Sequence, residues 1–206
     1  IYDEKFTKPN EMVTFRAGID EEPKEVKERV LQLFNKVKKN YNDVIDASDE
    51  IILDEYSLTY IVGELQQYSI LESSRDAVSD AFEVFIGHAL KGGQGQFFTP
   101  RNVVKMVVEM VDPNHEQKII DPACGSGGFL VESLRYVWNK AEKEYESLGW
   151  PKHEIEIEKQ KIAIKNIRGI DKDYFLSKVA KAYMALLGDG RGGVYCENSL
   201  ENPNHW

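Results

Sequence analysis

The sequence predicts an α-helical domain followed by the first half of an α/β, doubly wound parallel sheet, and three observations predict it. Residues 118–198 alternate short apolar runs with longer amphipathic ones in the order strand, helix, strand, helix, strand, which implies parallel pairing with right-handed crossovers. Residues before Gly92 carry helical periodicity and no strand pattern. The string DPACGSGGFL at Asp121–Leu130 sets three glycines between the first strand and the helix after it. In such a sheet, this is where a ligand presses against the backbone and an anionic group meets the N–H groups of a helix start.

Residues 1–22 show no clear period. From Pro23 to Tyr41 the residues Val26, Val30, Leu33, Phe34, Val37 and Tyr41 fall at helical spacing, with acids early and lysines late as the helix dipole prefers. A second helix is predicted over DEYSLTYIVGELQQYSI. A third starts at Ser74, where Val78, Ala81, Phe82, Phe85, Ile86 and Leu90 form one stripe after a serine cap. KGGQGQ ends this region, giving a helical domain over 1–92 and a second domain over 93–206. In the second domain Pro100 takes the first turn of a helix through RNVVKMVVEMV, and Asp112-Pro113 closes it. The strand KIID leads into the glycine turn, and FLVESLRYVWNKAEKEYESLGW continues as a helix. After a charged insertion come the strand NIRGID, the helix YFLSKVAKAYMALLG and the strand GVYCEN.

Composition narrows the function classes. With 206 residues, 42% of them hydrophobic, the chain can bury a core. A net charge of −9 argues against a protein that grips nucleic acid unaided, because phosphate contacts dominate that affinity. Four scattered histidines and two distant cysteines, Cys124 and Cys196, give no metal-ligand spacing. They fit a reducing, cytoplasmic setting better than a disulfide scaffold. No apolar stretch approaches membrane-spanning length and no signal peptide opens the chain, so no membrane partner is expected. The first residue is Ile1 rather than Met, which suggests a fragment.

A lone glycine cluster more often makes only a tight strand-to-helix turn, but here both flanking elements are those a binding turn requires. A dinucleotide fingerprint wants a third glycine where this chain has Leu130 and an acid about 20 positions on. The acid ending the second strand, Asp171, is far more distant. A triphosphate-cradling loop would need Gly-Lys followed by Ser or Thr, and GGQGQFFT has no lysine. Both a nucleotide-binding oxidoreductase and a triphosphate-binding enzyme lose ground.

Four strings, GQFFTP at Gly95–Pro100, DPACGSGGF at Asp121–Phe129, GIDKD at Gly169–Asp173 and ENSL at Glu197–Leu200, resemble the successive cofactor motifs of amino-methylating DNA methyltransferases. Their order and spacing are most similar to the modification subunit of type I restriction-modification systems, over roughly residues 60–200. The resemblance implies a partial S-adenosylmethionine-dependent methyltransferase fold behind the helical domain. The cofactor would be S-adenosyl-L-methionine and the activity adenine-N6 methylation. The implied partners are double-stranded DNA with a flipped adenine and a specificity subunit, with a restriction subunit as a further candidate.

By the same resemblance Gln96, Phe98, Thr99 and Pro100 form a lid over the methionine end, while Thr99 could instead cap the helix that follows. Asp121 would hold the ammonium, or alternatively brace the glycine turn by accepting backbone N–H bonds. Gly125, Ser126, Gly127 and Gly128 would line the methionine moiety. Asp171 would accept the two ribose hydroxyls, and the Asn198 oxygen would face the adenine amine. Cys124 reads as a small packing residue. The family's target-amine motif, an Asp, Asn or Ser followed by two prolines and an aromatic residue, does not occur. Asn202-Pro203-Asn204-His205-Trp206 reads as a loop, no catalytic residue is assigned, and the motif is expected beyond Trp206. The alternatives are a single-chain restriction-modification enzyme and a cofactor-binding module that transfers nothing.

Overall fold

The computed structural model describes residues 2–8, 10–69, 84, 99–188 and 193–201. By contacts the chain divides into two compact units, Ile1–Ala81 and Phe82–Trp206. The boundary expected near Gly92 and the helix expected from Ser74, apart from Val84, lie outside the described residues.

In the first unit a single turn, α1 (Tyr2–Phe6), precedes α2 (Pro23–Asn40) and α3 (Glu55–Leu65). Val26 and Val30 of α2 meet Leu58 and Val62 of α3, with Phe15, Ala17 and Ile51 packed around them. Asp54 starts α3: its Oδ1 accepts the N–H groups of Tyr56 at 3.0 Å and Ser57 at 2.9 Å, as a cap should. The helix is shorter than the pattern predicts. It ends at Leu65, where the Gln66 amide reaches back to the Ala17 backbone, accepting its N–H at 2.8 Å and donating to its carbonyl at 3.1 Å. The segment without sequence period is thus tied down from two sides. Arg29 on α2 donates to Arg16 O at 2.6 Å and Thr14 O at 3.1 Å and pairs with both oxygens of Glu21.

The second unit runs α4 (Arg101–Val111), β1 (Ile119–Asp121), α5 (Gly128–Ser147), α6 (Lys152–Asn166), β2 (Ile167–Asp171), α7 (Tyr174–Gly188) and β3 (Val194–Cys196). The strands form one parallel sheet in the order β1-β2-β3, with Asp121 opposite Gly169 and Asp171 opposite Cys196. The predicted alternation is realised, and the charged insertion proves to be α6, packed on α5. Trp138 of α5, fully buried, donates Nε1–H to Lys159 O of α6 at 2.6 Å. The buried Lys159 ammonium lies 3.0 Å from Glu142 and 2.8 Å from Glu156, so its charge is paired rather than stranded.

Helix α4 starts one residue later than its proline suggests. Pro100 sits at the cap position, its carbonyl accepting from Val103 at 2.8 Å and Val104 at 3.1 Å. Thr99 stands outside the helix and caps nothing. At the other end Asp112 takes the left-handed conformation, φ 51°, and Tyr136 and Lys140 of α5 hold its carboxylate at 2.6 and 2.7 Å.

The core lies between the sheet and α5, α6 and α7, built from Leu130, Leu134, Trp138, Ile155, Ile167, Met184 and their neighbours. Leu130, the residue that breaks the dinucleotide pattern, is fully buried. It packs over Gly169 of β2, where a Cβ would fall 2.4 Å from its Cδ1. On the opposite sheet face lie Ile120, 60% exposed and paired with Arg168, and Tyr195, 41% exposed and paired with the buried Ile170.

Candidate functional site

Parallel pairing brings the carboxyl ends of β1, β2 and β3 to one edge of the sheet, so Asp121, Asp171 and the Glu197–Asn198 step share it although 77 positions of sequence separate the first from the last. The glycine turn follows β1 at this edge. Gly125 (φ 55°) and Gly127 (φ 90°) both occupy the left-handed region that disfavours other residues. Gly127 is closed in as well, because a Cβ there would stand 3.2 Å from Cβ of Ala180 on α7. Around Gly125 and Gly128, by contrast, a Cβ would meet nothing within 4 Å, leaving open space beside the backbone. Gly127 is the N-cap of α5 and no side chain caps that helix, so its first N–H groups and the positive end of its dipole are available to an anionic group.

Two backbone bonds shape the turn: Cys124 N–H donates to Ile170 O at 2.9 Å and Gly127 N–H to Cys124 O at 2.8 Å. Asp171 adds more. Its Oδ2 accepts Gly125 N–H at 2.8 Å, its Oδ1 accepts Asp173 N–H at 2.8 Å, and its main-chain carbonyl accepts Glu197 N–H at 3.0 Å. Asp173 in turn caps α7, its Oδ1 accepting Leu176 N–H at 2.9 Å.

Asp121 accepts Ala123 N–H at 3.1 Å. Burial pushes its carboxyl above the ordinary value, the Ala123 amide opposes that rise, and the nearby Asp171 charge adds to it. A cation placed at this edge would relieve both carboxylates. Burial, then Asp121 and Asp171, drives the Cys124 thiol up to about 12. A thiol so hard to ionise is a packing group, not a nucleophile.

Asn198 is exposed and makes its own local turn, its Oδ1 accepting Leu200 N–H at 3.2 Å and its Nδ2 donating to Glu201 at 3.0 Å. Ser126 is half-buried within the turn, and Thr99 and Pro100 are exposed ahead of α4. Gln96 and Phe98 lie outside the described residues. The structure therefore gathers Asp121, Gly125, Ser126, Gly127, Gly128, Asp171 and Asn198 at one edge. Among the described residues no group of three or more His, Cys, Asp or Glu could hold a metal ion.

Two contributions escaped sequence reasoning. Gly169 admits no side chain because Leu130 and Cys124 fill the space beside it, and only its place inside a strand hinted at such a close approach. The bond from Gly125 to Asp171 joins residues 46 apart, and no local pattern announces it.

The family model for N-6 DNA methylase matches residues 73–206. Over 195 residues the chain is 25% identical to the type I restriction enzyme MjaVII methylase subunit of Methanocaldococcus jannaschii, an alignment spanning 87% of this chain and 31% of that protein. It is 39% identical over 67 residues to the EcoKI methylase subunit of Escherichia coli K12, covering 31% of this chain and 13% of the relative. It is also similar to the crystal structure of a type I restriction enzyme modification subunit from Vibrio vulnificus YJ016. That likeness has a TM-score of 0.53 and 25% identity, over 76% of this chain and 31% of the other. The chain thus spans about a third or less of the length of these relatives.

Proposed function

The chain belongs to the N-6 DNA methylase family, and from that premise we propose that it is the cofactor-binding front part of a type I modification subunit that methylates adenine N6 in DNA. The observation that carries this reading is the convergence at one sheet edge of an uncapped helix start, an open glycine turn and two carboxylates from adjacent strands. That donor set suits a ligand with a carboxylate, an ammonium and a ribose diol, and S-adenosyl-L-methionine has all three. When bound, it supplies the methyl group, passed in line from its positively charged sulfur to the amine of an adenine flipped out of the duplex.

The roles of this chain's residues follow from their chemistry. The N–H groups opening α5, with the backbone of Gly125, Ser126, Gly127 and Gly128, receive the methionine end. Asp121 faces the ammonium, whose charge offsets the burial of its carboxylate. Asp171 accepts the ribose hydroxyls, and the second lone pair of the Asn198 oxygen, beside the Leu200 N–H, accepts from the adenine amine. Gln96, Phe98, Thr99 and Pro100 would close over the methionine end. Double-stranded DNA is the substrate, a separate specificity subunit reads its sequence, and the net charge of −9 fits that division of labour.

Incubating the complete protein and a specificity subunit with S-adenosyl-L-methionine labelled in the methyl group, then analysing the DNA nucleosides by mass, tests the reading. The expected product is N6-methyladenine. Label found only in cytosine, or calorimetric titration showing no binding of S-adenosyl-L-methionine, would overturn it.

A further inference from the structure

We infer that Asp171 is the positioning residue of the glycine turn, holding it in its binding shape before any ligand arrives. The turn is docked to the end of β2 by two consecutive amides: Cys124 N–H reaches the Ile170 carbonyl at 2.9 Å and Gly125 N–H reaches the Asp171 carboxylate at 2.8 Å. The second bond is charge-assisted, and so the stronger kind. It falls on Gly125, whose left-handed φ of 55° lets the chain turn. The carboxylate is itself fixed, because its other oxygen accepts Asp173 N–H at 2.8 Å. Through its main-chain carbonyl the same residue also accepts Glu197 N–H at 3.0 Å. One side chain and its backbone thereby tie together the loops after all three strands.

This role adds to the ribose contact proposed above. A carboxylate offers about four lone-pair positions. The two backbone N–H groups use two of them, leaving two for two hydroxyls. Preorganisation of this kind lowers the ordering cost of binding at the methionine end, away from the ribose. The cofactor-dependent half of the inference rests on the S-adenosyl-L-methionine reading; the ligand-free half does not.

Hydrogen exchange of the complete protein without ligand, resolved at single amides, tests the ligand-free half. In the unmutated protein the Gly125 amide should be protected, and Asp171→Ala should speed its exchange by about tenfold or more. Asp171→Asn, with one acceptor oxygen for two N–H groups, should fall between. A Gly125 amide exchanging at the unprotected rate in the unmutated protein would overturn the inference even if neither variant folds. Titration with S-adenosyl-L-homocysteine and with its analogue lacking both ribose hydroxyls tests the other half. Asp171→Ala should weaken both ligands, the second by about fivefold or more. If it leaves the hydroxyl-free analogue untouched, Asp171 is a ribose ligand alone and the inference fails. If neither ligand binds the unmutated protein, the cofactor reading fails instead, and exchange alone decides the brace.

Discussion

If Asp121 holds the ammonium as proposed, stability and binding pull in opposite directions there. Its folded carboxyl titrates above the ordinary value, chiefly because burial disfavours the charge. The stability it lends is therefore full below the unfolded value and lost as the pH rises through the folded one, so at neutral pH its ionised form is a liability. Asp121→Asn keeps an oxygen for the Ala123 N–H, removes the buried charge and ends the repulsion with Asp171. Because solvent screens this half-buried carboxylate, the ligand-free variant should be more stable at pH 7 by only about 0.5 kcal/mol and no more stable near pH 3, where the Asp121 carboxyl is itself uncharged. Affinity for S-adenosyl-L-methionine should fall about tenfold with the loss of the ammonium's partner. Scanning calorimetry at both pH values, paired with titration at pH 7, checks both halves. A variant less stable at pH 7, or one binding with unchanged affinity, contradicts the assignment.

At the scale of elements, the Arg29–Glu21 pair governs how the segment between α1 and α2 is held. Arg29, with the Gly18 amide, pulls the Glu21 carboxyl down from 4.5 to about 2. Stability from the pair is thus present above about pH 4.5 and lost as the pH falls towards about 2. Exchange of the Gly18 amide, which donates to Glu21 at 3.0 Å, should lose its protection across that window once corrected for the chemistry of exchange. Arg29→Met should abolish the protection at every pH; protection that survives the substitution would show that Gln66 alone holds the segment. Nothing in the sequence of residues 1–22 revealed this arrangement, because its contacts reach 15 residues to Thr14 and, through Gln66, 49 residues to Ala17. The helices and strands of the second unit were legible for the opposite reason. Their apolar spacing, glycines and caps are local, so α4, α5, α7 and all three strands fall close to where pattern puts them. The insertion α6 was read only as charged because exposed Ile157 and Ile164 blur its buried stripe of Ile155, Ile162 and Ala163. Three of the four strings, DPACGSGGF, GIDKD and ENSL, meet at one sheet edge as pattern suggests, but the network between them is not legible in the sequence. Asp121 does brace the start of the glycine turn by accepting the Ala123 N–H, but strand adjacency, invisible in one dimension, gives the Gly125 amide to Asp171.

For the molecule as a whole, cofactor binding and methyl transfer should be separable. The four strings that resemble cofactor motifs all lie within the 206 residues, and none of these residues matches the motif expected to hold the target amine. Among the described residues the sheet has three strands, and its second face exposes Ile120 and Tyr195, side chains that a completed layer would cover. Binding by this chain alone should accordingly be weak, since a face left partly exposed at Ile120 and Tyr195 packs the strand ends less firmly, while transfer should be absent. Labelled S-adenosyl-L-methionine and mixed-sequence DNA, with and without a specificity subunit, make the comparison. Ultraviolet crosslinking should attach some label to the 206-residue chain, and no label should enter DNA. The complete protein under the same conditions should label adenine. Reproducible label in DNA from the 206-residue chain would mean that the groups holding the target amine lie within it and that the motif-based division is wrong. Absence of crosslinking to the chain, with strong crosslinking to the complete protein, would instead mean that the edge formed by Asp121, Gly125 and Asp171 reaches its binding shape only when the sheet is covered.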